Sequence, residues 1–167
     1  MNREERVQHH ALLSNLAREL FQTEVSAVRH CRREARRNPG TGPAIALTSV
    51  AKHADRALVE LTALARREDL PVSKFGSLLG ETFSQLRDKV ADHVIDGERS
   101  YRATLLGIRH GVDVVHMFGS TATLARREAI ADWAELWLLE RTHLLLIVEH
   151  QLDWFASHVE RALARSH

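Results

Sequence analysis

The sequence predicts an all-α fold, an antiparallel up-down-up-down four-helix bundle. Three observations predict it. Long stretches are rich in Ala, Leu, Arg and Glu, which are good helix formers. Apolar residues recur three and four apart within them, the spacing that puts side chains on one helix face. No stretch sustains the alternation of β-branched residues that a half-buried strand needs.

The helix-breaking residues divide the chain. Asn38-Pro39-Gly40-Thr41-Gly42-Pro43 is a strong loop signal. Glu68-Asp69-Leu70-Pro71 is a second, with Ser73 placed to cap the next helix. Gly119-Ser120-Thr121 is the third and weakest, with Thr123 as a candidate N-cap. Helix one is therefore expected over Arg3–Arg37, helix two over Ala44–Arg67 and helix four over Leu124–Arg165. The segment Ser73–Phe118 carries Gly76, Gly80, Gly97, Gly107 and Gly111. One continuous third helix is the favoured reading, and a break near Gly97, giving five helices, is the alternative. Short connections make consecutive helices antiparallel neighbours, and residues 1–167 read as one helical-bundle domain.

Composition narrows the function classes. A chain of 167 residues with 44% apolar side chains can bury a continuous core without staples. Twenty-three basic residues against 22 acidic leave a formal charge of +1, which argues against a dedicated nucleic-acid binder. The arginines crowded at the end of helix one (Arg29, Arg32, Arg33, Arg36, Arg37) are also what the helix dipole favours at a C-terminus. A single cysteine, Cys31, permits no intramolecular disulfide and points to a reducing, cytoplasmic setting. The charged opening MNREERVQHH lacks the apolar core expected of a signal peptide. The longest apolar run, Leu144–Val148, is far too short to span a bilayer. No Gly-rich phosphate loop, Gly-x-Ser-x-Gly elbow or His-Glu-x-x-His motif is present, so nothing in the sequence argues for catalysis.

The candidate site residues are polar groups on apolar faces. Glu24 lies in the middle of the face formed by Leu20, Phe21, Ala27 and Val28, where a carboxylate must be paired, liganded or protonated. His53 flanks the core face of helix two, and His93 lies between Val90 and Val94 on that of helix three. One edge of helix four carries Glu140, His143, His150 and His158. Counting outward from the loops at 1.5 Å per residue puts Glu24 in a layer with His53 and His158, and Glu140 and His143 in another with Glu98.

These residues admit two readings. The bundle with an inward Glu24 and a Glu140-x-x-His143 pair resembles, in architecture, the ferritin-like di-iron and di-manganese proteins, in which two helices give a Glu each and two give Glu-x-x-His. The second Glu-x-x-His is missing on helix two. What remains is a degenerate His/carboxylate site for Fe, Mn or Zn, using Glu24, His53, His93, Glu140, His143 and His158. The other reading makes the same groups structural, with Glu24 meeting an Arg or His that fixes packing register. Helices three and four read as longer than one and two, so Ile108, Val112, Val115, Phe118, Ile130, Trp133 and Trp137 at their far ends need cover. That leads to a non-catalytic bundle working by self-assembly or partner binding, as a homodimer through the ends of helices three and four.

Overall fold

The computed structural model describes residues 2–71 and 96–164. His93 and the first half of the expected third helix lie outside the described residues. The long helices are α1 (Arg3–Ala35), α2 (Gly42–Arg67), α3 (Gly97–Leu124) and α4 (Glu128–His150), followed by the short α5 (Leu152–Ser157) and α6 (Val159–Ala162). No β-strand occurs among the described residues, and no described helix is long and apolar enough to cross a membrane.

Local chemistry sets the ends. Asn2 and Glu5 form a reciprocal capping box at the start of α1, each side chain 2.8 Å from the other residue's backbone nitrogen. Thr41 caps α2, whose second residue is Pro43. α2 and α3 end alike, on a residue in the left-handed region, Asp69 (φ 51°) and Arg126 (φ 56°). In each case the next amide returns to the helix, Leu70 to the Ala65 carbonyl at 2.8 Å and Arg127 to Ala122 at 2.9 Å. Arg127 then ties the two ends together, its Nε donating to Glu68 Oε2 at 2.8 Å.

Around the bundle the helices run in the order α1, α2, α4, α3. Paired residues fix their directions. Glu34 meets Ser100 while Glu19 meets His110, and Glu60 meets Trp133 while His53 meets Arg141. Every neighbouring pair is therefore antiparallel, as in the expected bundle. Among the described residues, however, the four long helices run up, down, down, up in chain order, with α2 and α3 on one diagonal.

Three boundaries differ from expectation. The favoured continuous third helix is replaced by the break, since Asp96 is extended and α3 begins at Gly97. Gly97 donates its N–H to the Ala164 carbonyl at 2.9 Å, and a Cβ there would lie 2.7 Å from the Arg161 carbonyl oxygen. Its missing side chain lets the C-terminal segment close over the bundle. Gly97→Ala is accordingly expected to destabilise by about 1–3 kcal/mol through overpacking, although Gly→Ala in an open helix would stabilise. Urea denaturation within about 0.5 kcal/mol of wild type would contradict this.

Gly119-Ser120-Thr121 is helical, not a loop, and the turn comes at Ala125–Arg127. Gly119 serves packing instead, because a Cβ there would sit 2.9 Å from Ala134 Cβ. Helix four is interrupted after His150 and again at His158 (φ −130°, ψ 65°), which turns α6 back towards Gly97.

The interior is two apolar cores in series. One gathers Leu13, Leu20, Leu61, Phe118, Ile130 and Trp137. The other gathers Cys31, Leu47, Val50, Tyr101, Ile108 and Phe155. Burial of each such side chain stabilises by about 1.5–3 kcal/mol.

Candidate functional site

Between the two cores lies one charged layer. Glu24 is 0% exposed on α1, His53 4% on α2 and Arg141 1% on α4. Helical periodicity puts each there. Glu24 is one turn beyond Leu20, and Arg141 continues the buried series Ile130, Ala134, Trp137 and on to Val148. Arg141 Nη2 donates to Glu24 Oε2 at 2.6 Å, and its Nε donates to His53 Nδ1 at 3.0 Å. The guanidinium also lies over the Trp137 ring, 4.6 Å from its centroid.

Arginine has only donors, so His53 Nδ1 must be an unprotonated acceptor, and the neutral ring carries its hydrogen on Nε2. That atom faces Glu140 Oε2 at 3.7 Å. Burial, then the Arg141 charge, lowers the His53 pKa from 6.5 to about 4, against the opposing pull of Glu140. Burial pushes the Glu24 carboxyl up, with the Arg141 charge and hydrogen bond opposing it. Two buried atoms, Glu24 Oε1 and Trp137 Nε1, have no hydrogen-bond partner among the described residues.

The structure thus brings together Glu24, His53 and, at the surface edge, Glu140, which is bound by Arg56. It does not bring in the others. His143 is exposed on the outer side of α4. His158 stacks on Trp154 with ring centroids 4.3 Å apart, and its Nδ1 lies 2.8 Å from the Trp154 carbonyl oxygen. Glu98 pairs with Arg102 along α3, not with Glu140. Among the described residues no group of three or more His, Cys, Asp or Glu is arranged to hold a metal ion. Arg141 places a fixed positive charge between Glu24 and His53.

A smaller polar cluster lies beside the core that holds Cys31 and Tyr101. Ser100 donates to Glu34 Oε2 at 2.7 Å, and Arg37 Nε lies 3.5 Å from the same oxygen. Tyr101 donates its hydroxyl to the Val148 carbonyl at 3.0 Å. Burial pushes the Cys31 thiol up to about 12, so it is held as an unreactive thiol.

Five of the seven residues expected to need a second subunit are buried within the chain, while Val112 and Trp133 are half-buried. Ile108 is 2% exposed, Val115, Phe118 and Ile130 0%, and Trp137 3%. The physical reason is length: α1 has 33 residues, α2 26, α3 28 and α4 23, so α3 and α4 have no overhang. Large apolar side chains are exposed on several helices, among them Val59, Leu106 and Leu124, and four of them stand on the outer face of α4. Leu136 is 69% exposed, Leu139 74%, Leu146 60% and Ile147 38%.

Comparison with protein families, curated proteins and solved structures gives no significant match.

Proposed function

We propose that this chain is a non-catalytic helical-bundle protein that works by protein contact, through self-assembly or partner binding at the outer face of α4. One observation carries the reading: Leu136, Leu139, Leu146 and Ile147 stand exposed at helical spacing on one side of α4, with His143 between them. Apolar residues scattered singly over a surface call for no explanation, whereas several aligned on one helix face do. The titratable groups support it from the other side. Glu24 and His53 are committed to Arg141, which leaves them holding the layer together. A homodimer is one form of this contact, and the buried lone Cys31 fits a cytoplasmic setting.

Replacing Leu139 and Leu146 together by Lys tests the reading. Sedimentation velocity is expected to show wild-type association that the double variant abolishes. The melting temperature should move by no more than about 2 °C, because both side chains already face water. Association that persists unchanged in the double variant would remove this face from the function.

A further inference from the structure

We infer that the partner on α4 is a second copy of this chain, its α4 packed antiparallel across a two-fold axis. The inference rests on the reading of α4 as the contact face. Leu136, Leu139, His143, Leu146, Asp132 and His150, all exposed, stand on that face. Between Asp132 and Leu136 the step is four residues, and from there it alternates three and four through His150. That spacing is the seam of a two-stranded coiled coil, with Leu136, His143 and His150 at one core position and Asp132, Leu139 and Leu146 at the other.

Charge selects the direction. A parallel pair would set Asp132 against its own copy, and likewise His143 and His150, stacking like groups at three levels of the seam. An antiparallel pair alternates the two core positions across the interface. Asp132 then faces His150 of the other copy, Leu136 faces Leu146, and Leu139 faces His143. Within its own chain His150 has a long contact with Asp153, Nδ1 to Oδ2 at 3.8 Å, and both side chains are over 80% exposed. Glu140, beside the axis, already has Arg56 on it, which limits its repulsion from the other copy's Glu140. Such a contact is isologous and closes at two subunits, because each patch is satisfied by the identical patch on the other.

Disulfide trapping tests the pairing. Leu139→Cys and His143→Cys chains, one of them carrying a size tag, are mixed and oxidised at about 100 µM, well above the micromolar range in which weak dimers form. Cys31 is buried and stays out of the reaction. The antiparallel seam predicts that the mixed disulfide, Leu139→Cys to His143→Cys, exceeds either homodimeric product at least several-fold. Predominant Leu139→Cys homodimers would overturn the antiparallel pairing while leaving α4 as the contact face. A wild-type chain that sediments as a monomer at that concentration, or a dimer that gives no disulfide with either variant, would overturn both the pairing and the α4 reading.

Discussion

Arg141→Met is expected to destabilise the protein by about 3–5 kcal/mol, the usual cost of removing one partner from a buried ion pair. For a chain of this size that lowers the melting temperature by about 10 °C. The cause is what remains behind. Glu24 is fully buried, and Arg141 donates the hydrogen bond that satisfies its Oε2. His53 Nδ1 loses its donor in the same step. Replacing Glu24 by Leu in the same molecule should recover most of the loss, since an apolar pair of similar volume carries no unpaired charge. Equilibrium denaturation of wild type, single and double variants gives the coupling energy directly. A single Arg141→Met variant within about 1 kcal/mol of wild type would show that the layer is not held as the geometry indicates.

The second large effect is acid sensitivity through His53. Its pKa falls from 6.5 to about 4 on folding, so the unfolded chain binds the proton more readily. A depressed pKa contributes stability that is present above the unfolded value and lost as pH falls through the folded one. The window is therefore about pH 6.5 to 4, and the loss approaches about 3 kcal/mol at 1.36 kcal/mol per unit. Glu24 acts in the opposite sense, because its raised pKa favours the folded state as its carboxyl gains a proton. His53→Gln separates the two, since glutamine still accepts from Arg141 but does not titrate. The stability difference between wild type and His53→Gln is expected to fall by about 3 kcal/mol from pH 7 to pH 4. A pH-independent difference would place the His53 proton elsewhere than the hydrogen bonds imply.

The fold class, α1 and α2 were legible because local signals agree there: the breakers at 38–43 and an uninterrupted apolar period. Glu24 and His53 were legible for the same reason, as polar residues on a face that periodicity assigns to the core. Arg141 was hidden, although the spacing from Trp137 through it to Val148 is helical and marks it as inward. Long basic side chains normally keep their charge in water, and only the burial of Glu24 reverses that default. The start of α3 at Gly97 was legible only as an alternative to a continuous helix, because Gly97 serves a tertiary purpose, the approach of the Arg161 and Ala164 carbonyls. Local propensity cannot register a contact with a segment more than sixty residues away. The same limit applies to Gly119, whose bare backbone accommodates Ala134 inside a continuous helix.

The charged layer also acts as a gauge mark for assembly. α2 meets both cores with much the same alphabet, Leu47, Val50 and Ala51 in one against Ala57, Leu61 and Leu64 in the other. A slide of one turn, about 5.4 Å, would leave such surfaces almost as well matched. It would also carry Glu24 into one of the apolar cores and leave the Arg141 guanidinium without its carboxylate. Misaligned bundles therefore bear an ionic penalty that the aligned bundle does not, which widens the energy gap separating one arrangement from its near-duplicates.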